Sequence, residues 1–428
     1  MKTVCLRYGR TTIPVAIPEW VKARVIRKPT TAAIERPQEA VVNCFEEPVG
    51  CQSLRELASG SESVCIAICD ITRPVPNHLF LRPMLELLLD AGIHAEKITI
   101  LVATGLHRPN VGKELQELIG DPWVLDKMRI VNHNAKDDAC NKLIGYTERR
   151  RTPVRLNQTF IDADLRIVTG LVEPHFMAGY SGGRKVIAPG LAHSETIRTF
   201  HSGRFMADPA ASNCNFVNNP LHEEQLEIVR MLGSVYAVNT VIDEGRNLQR
   251  INFGEVTLSH AAMVELTRSD CEVFLNQRYR TVVTSAAGYP LDQTYYQTIK
   301  GMVGALGILE EGGDLIIVSA CNQGFGSEEF RKSQKRLIEM GRDAFLNILI
   351  EKPLADIDEW QSQKQADSTG HVNVILYTDG LSEEEQFLTG VNCVGNLQDA
   401  VNASIARSET PSIAVIPEGP YVIPFYRN

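Results

Sequence analysis

The run Glu173-Pro174-His175-Phe176-Met177-Ala178-Gly179-Tyr180-Ser181-Gly182-Gly183-Arg184-Lys185 puts an imidazole, a flexible turn and two cations in one short window. Gly182 and Gly183 let the backbone approach a ligand closely. Lys185 offers an amine able to act as a nucleophile or covalent tether. His201, sixteen residues on, is a candidate metal ligand. Two earlier runs carry similar chemistry. In Asp70-Ile71-Thr72-Arg73-Pro74-Val75-Pro76, Arg73 can clamp a carboxylate bidentately; Asp70 and Arg73 can equally form a local ion pair or helix cap. Ala103-Thr104-Gly105-Leu106-His107-Arg108-Pro109 supplies a second imidazole. Two histidines of near-neutral pKa suit proton transfer in both directions. Farther on, in Gly288-Tyr289-Pro290-Leu291-Asp292-Gln293-Thr294-Tyr295-Tyr296-Gln297-Thr298-Ile299-Lys300-Gly301, Tyr296 and Lys300 share a helix face. A phenol and a cation there suit an anionic substrate, or else form a packing tyrosine beside a solvated lysine. Trp360 lies in a polar amphipathic segment and reads as partial core.

Strands must carry these runs. Residues 64–69, 98–102, 128–131 and 165–172 read as strands, alternating with helices at 77–91, 111–119, 194–200 and 221–232. The rhythm restarts near 271, with strands at 271–276, 280–285, 314–319, 372–377 and 412–416 and helices at 293–306 and 328–340. Two strands at 4–18 surround the turn Tyr8-Gly9-Arg10, and residues 19–60 read as irregular. The expectation is an α/β fold of two domains, 1–275 and 276–428, each a mostly parallel sheet flanked by helices. The first would carry the cofactor and metal, and the second would close over the substrate. Open α/β sheets bind ligands at the carboxyl ends of their strands, which places the site in the interdomain cleft.

Composition excludes several classes. A formal charge of −9 argues against a nucleic-acid surface. No apolar run approaches the roughly 20 residues that span a bilayer. The N-terminus has no signal-peptide pattern. The ten cysteines form no CxxC pair, and Cys65 and Cys69 lie inside an apolar run, so reduced thiols and a cytoplasmic location are expected. There is no HExxH, zinc-ribbon or Walker pattern, and the glycine spacing at Gly179–Gly183 is not a dinucleotide fingerprint.

Taken in order, DxTRPxP at Asp70, ATGxHRP at Ala103, EPHxxAGxSGGRK at Glu173, HS at His201, GYPLDxxxYQxxKG at Gly288 and EW at Glu359 resemble the nickel-dependent lactate racemase family. The resemblance runs from Tyr8-Gly9 to about Trp360. It implies a nickel-pincer nucleotide, a pyridinium 3,5-bisthiocarboxylic acid mononucleotide, tethered to Lys185 with His201 as the protein's nickel ligand. Thr104, Gly105, Ser181 and Gly182 would lie beside it. His107 and His175 match the acid/base pair. Arg73 and Lys300 match substrate-carboxylate and polar-pocket residues, with Asp70, Thr72, Gln297, Tyr296 and Trp360 around them. A histidine would take the hydroxyl proton of a 2-hydroxy acid while the α-hydrogen leaves as hydride to the cofactor ring. Separate maturation enzymes would be partners. Leu106 stands where the family commonly has a small polar residue, making the pocket wall more apolar, and Met177 where it often has an aromatic; both departures count against lactate itself as the preferred substrate. No further arginine stands in the motifs to receive a second carboxylate, which favours lactate or another short-chain aliphatic 2-hydroxyacid over a longer or sugar-derived one. The alternatives outside the family are an NAD-dependent 2-hydroxyacid dehydrogenase, an organic-acid-binding protein and a metal hydrolase, the last of which needs three protein ligands.

Overall fold

The computed structural model describes residues 1–29, 31–243, 245–408 and 411–427. Continuous apolar runs become the central strands of two six-stranded sheets. In the first, the order is Leu248–Glu255, Tyr236–Ile242, Leu165–Leu171, Val64–Cys69, Ile98–Ala103 and Arg129–Asn132. All neighbours are parallel except the first pair. The strand Ile98–Ala103 is buried at every position, as befits a parallel strand covered on both faces. The second sheet, parallel throughout, runs Asn392–Val394, Asn373–Tyr377, Leu309–Val318, Tyr279–Ser285, Ser412–Ile416 and Lys22–Val25. The expected α/β class, with parallel sheets flanked by helices, is therefore observed.

The chain's opening lies with the second sheet. The hairpin Lys2–Tyr8/Thr11–Ile17 forms as expected, and its Leu6, Val15 and Ile17 pack with Val283, Ile316 and Val415. Lys22–Val25 pairs with Ser412–Ile416. A division at residue 275 puts these strands in the other unit, because a pairing across most of the chain leaves no local pattern. The stretch 19–60, expected to be irregular, also contains the helices Pro37–Glu46 and Leu54–Ser59.

The helix Glu359–Thr369 departs most from its local composition: nearly every residue of it is buried, although most are polar. Its side chains satisfy backbone carbonyls from both halves of the molecule, as buried polar groups must. Gln363 Nε2 donates to Gly203 O at 2.9 Å, Lys364 Nζ to Met206 O at 2.8 Å and Ala211 O at 3.1 Å, and Gln365 Nε2 to Thr389 O at 2.6 Å. The helix bridges the segment after His201 and the second sheet's helices. No helix among the described residues is long and apolar enough to cross a membrane.

Candidate active site

Three adjacent strands of the first sheet end at one cavity of about 150 Å³. Val64–Cys69 leads into Asp70, Thr72 and Arg73; Ile98–Ala103 into Thr104, Gly105 and His107; Leu165–Leu171 into Glu173 and His175. The turn at Ser181 and Gly182, with Lys185 and His201, lines its floor. From beyond the first sheet come Tyr296, Gln297 and Lys300 on the helix Tyr295–Ala305 and Trp360 on Glu359–Thr369. Every residue that the resemblance assigned to the site thus borders this one cavity, while Gly183 lies behind it against His260.

Its two facing histidines are held differently. His107 Nδ1 lies 2.5 Å from Asp70 Oδ2. Asp70 Oδ1 accepts from Thr72 N at 3.1 Å and Thr72 Oγ1 at 2.6 Å, which aims the carboxylate. Burial opposes the charge on Asp70, but His107, Thr72 and Arg73 outweigh it and hold its pKa down to about 2. A carboxylate on Nδ1 favours the Nδ1–H form and leaves Nε2 as a lone pair. The local Asp70–Arg73 ion pair does not form; Arg73 pairs with Glu173 at 3.4 Å instead.

His175 sits on the two-residue ribbon Pro174–His175, paired with Gly179–Tyr180. The intervening turn directs the backbone N–H groups of Met177 and Ala178 onto His175 Nδ1, each at 3.2 Å. That nitrogen therefore accepts, and the ring proton stays on Nε2. Burial, then the charges of Lys185, Lys300 and Arg73, push the His175 pKa well below its ordinary value.

The glycine turn is clamped from behind. Gly182 and Gly183 have φ of +80° and +47°, and a Cβ on Gly183 would meet the His260 ring at 2.7 Å. His260 Nε2 donates to Ser181 O at 2.8 Å. Buried Arg184 donates from Nη2 to Ala178 O at 2.8 Å and Tyr180 O at 3.2 Å. These contacts leave Lys185 facing the cavity, where burial, followed by the charge of Arg73, lowers its pKa to about 7. Near neutral pH a large share of Lys185 is the free amine. Burial, then Arg73 and Lys185, likewise lower the Lys300 pKa well below its ordinary value.

His201 caps the helix Ser194–Phe200. Its Nδ1–H donates to Ile197 O at 2.9 Å, so Nε2 presents a bare lone pair. Burial lowers its pKa to about 3, which keeps the ring neutral. The Trp360 ring packs 4.9 Å from His201, and Trp360 Nε1 donates to Tyr296 Oη at 3.2 Å. Trp360 is thus core, as its segment suggested, and also a wall of the cavity.

Two polar residues of the cavity, Asp358 and Gln361, carried no expected role, nor did Glu173, which pairs with Arg73 behind it. Gln361 Nε2 donates to Tyr296 O at 2.6 Å. Asp358 accepts from Ser327 Oγ at 2.5 Å, and burial raises its pKa. Glu173 opens the EPHxxAGxSGGRK motif and Asp358 precedes the EW pair, so only their position in the motifs marked them.

The donor set tests the cofactor. Among the described residues no group of three His, Cys, Asp or Glu side chains is placed to hold a metal ion. A metal at His201 must take its other ligands from a non-protein group, which does not match a zinc hydrolase. One imidazole lone pair beside one free amine fits a tethered organic chelate.

Relatives share this architecture. The family model for the lactate racemase N-terminal domain matches residues 8–213, and that for the lactate racemase C-terminal domain matches 276–424. The lactate racemase of Lactiplantibacillus plantarum is 32% identical over 396 residues, 90% of each chain. That of Thermoanaerobacterium thermosaccharolyticum is 29% identical over 99% of each. The lactate racemase apoprotein structure from the latter organism superposes with a TM-score of 0.91 at 28% identity, covering 100% of both chains. A crystal structure of a Thermotoga maritima protein, 18% identical, shares the fold at a TM-score of 0.68 over 87% of this chain and 97% of its own. The chain belongs to the lactate racemase family and is an isomerase of the racemase class.

Proposed function

We propose that this chain interconverts the enantiomers of lactate or another short aliphatic 2-hydroxy carboxylate, using a nickel-pincer nucleotide held by Lys185 and His201. The observation that carries this reading is the meeting of a buried lysine amine, a bare imidazole lone pair and two differently held histidines in one cavity. When bound, the cofactor supplies the hydride acceptor and donor for the substrate's α-carbon.

The chain's own groups then have distinct tasks. Arg73, steadied by Glu173, and Lys300 receive the substrate carboxylate. His107, its Nδ1 turned to Asp70, takes the hydroxyl proton at Nε2, and the Asp70 carboxylate stabilises the imidazolium that results. His175 presents Nε2–H to the oxygen on the other side. It exchanges a proton only when both amide bonds to Nδ1 are given up. Trp360 and Tyr296 hold the cavity side of His201. Arg73, Lys185 and Lys300 are the cavity's basic residues besides its histidines, and Leu106 and Met177 line its wall. With one arginine and an apolar wall, a short monocarboxylate fits better than a dicarboxylate or sugar acid. We take the setting to be cytoplasmic, with Cys44, Cys65, Cys214, Cys271 and Cys321 buried as apolar thiols. As domains we take 276–427 together with the opening strands as one unit, and the first sheet as the other.

The test is nickel content and intact mass after production beside cofactor-making enzymes. About one nickel per chain and an added mass, both lost in Lys185→Ala, is the expected result. No adduct and no nickel under conditions that load another family member would end the proposal.

A further inference from the structure

Behind the Arg73–Glu173 pair lies a second cavity, larger than the first at about 260 Å³. It sits where strands of both sheets end. Leu171 closes Leu165–Leu171, Ile242 closes Tyr236–Ile242, and Ala287 and Glu418 each follow a strand of the second sheet by two residues. Carboxyl ends of strands are where α/β sheets bind ligands. This cavity has them from two sheets at once.

Its charges are unbalanced. The acids that line it are engaged: Glu173 with Arg73, Glu418 with Arg27, and Asp243 with Asn247 N at 2.8 Å and Asn247 Nδ2 at 2.9 Å. Lys28 is engaged too, donating to Ile242 O at 3.1 Å and Gln249 Oε1 at 2.9 Å. Arg7, Arg10 and Arg246 line the same cavity, and among the described residues none of them pairs with a carboxylate. Arg10 and Arg246 both pack on the Tyr289 ring, at 3.6 Å and 5.6 Å from its centroid. The charges of Arg7 and Arg246 also bear on the Tyr421 hydroxyl inside the cavity. Arg7, Arg10 and Arg246 are solvent-exposed at the rim, and three guanidinium groups around one concavity give it a positive field that favours an anion. Their planar forks match phosphoryl oxygens.

We propose that this second cavity is a binding site for a phosphoryl-bearing small anion, held by Arg7, Arg10 and Arg246 over Tyr289. The phosphoryl group belongs either to a free molecule or to the nucleotide end of the cofactor. The site stands on its own residues, whatever the reaction in the first cavity.

Inorganic pyrophosphate, titrated calorimetrically into the apoprotein, tests the site. Binding should weaken at least tenfold in Arg10→Gln/Arg246→Gln and in Arg7→Gln, and stay within twofold in Lys300→Met. Circular dichroism confirms that each variant is folded. No binding to the wild type, or binding lost in Lys300→Met but kept in the Arg10/Arg246 pair, would overturn the proposal. Repeating the titration on protein carrying the Lys185 adduct separates the two sources. Loss of pyrophosphate binding there, with retention in Lys185→Ala, assigns the site to the cofactor's own phosphoryl group; retention in both assigns it to a free molecule.

Discussion

His107 and His175 face one cavity from the ends of strands on either side of Val64–Cys69, yet their surroundings are opposite. The His107 side chain is 47% exposed and rests on a buried carboxylate. His175 is 9% exposed and rests on two backbone amides. A carboxylate on Nδ1 stabilises a ring that gains a proton, whereas amide donors on Nδ1 oppose it. The two are therefore not interchangeable: in this resting structure His107 is ready to accept a proton and His175 to donate a hydrogen bond. A racemase needs an imidazole on each side of the substrate carbon, but the sides need not be equally prepared. Enantiomers are equal in energy, so kcat/KM must match in the two directions, while kcat and KM can differ.

The largest expected effect removes either ring. His107→Ala and His175→Ala should each lower interconversion by roughly 10²- to 10⁴-fold, with nickel and adduct mass retained. Chiral chromatography of the product measures this, and full activity in both variants would remove the acid/base assignment. Next is Asp70→Asn, which acts chiefly through His107 and the Thr72 turn; we expect a loss on the order of 10²-fold in kcat. An Asp70→Asn enzyme as fast as wild type would show that the carboxylate does not matter to the proton carrier. A smaller effect separates the enantiomers. Single-turnover rates from the two should differ severalfold, the faster being the one whose hydroxyl faces His107. Equal rates would mean that the His175 amides yield at no cost.

The smallest effect concerns Lys185, whose charge bears on His175. Its pKa is about 7 in the folded chain against an ordinary value of 10.5. Below about 7 both folded and unfolded chains hold the proton, and the cost of burying it is fully present. Between about 7 and 10.5 the unfolded chain binds more protons, so stability rises with pH. Lys185→Met should flatten this rise. Thermal midpoints of the apoproteins across that window test it, and parallel slopes would place the amine in solvent-like surroundings.

Much of the scaffold was legible locally. Strands 64–69 and 98–102 and the helix 194–200 stand out as apolar runs with clear ends, and their observed bounds agree to within a residue. The motifs at their ends drew attention because reactive side chains follow a buried strand. What escaped was decided by distant partners. Lys22–Val25 becomes a strand only because Ser412–Ile416 lies beside it. Glu359–Thr369 has the composition of a surface helix and is buried because carbonyls of Gly203, Met206, Ala211 and Thr389 wait for its amides and ammonium. Asp70 and Arg73 are close enough in sequence to suggest each other as partners, but the fold gives Asp70 to His107 and Arg73 to Glu173. The asymmetry of the two histidines was likewise hidden, since it depends on which way two peptide N–H groups point.

The measurement that bears most directly on this account is the fate of a single lactate enantiomer incubated with cofactor-loaded protein. The account predicts conversion to an equal mixture of both enantiomers, lost in His107→Ala and His175→Ala although both variants still carry nickel. Return of the starting enantiomer unchanged by fully loaded wild-type protein would contradict it.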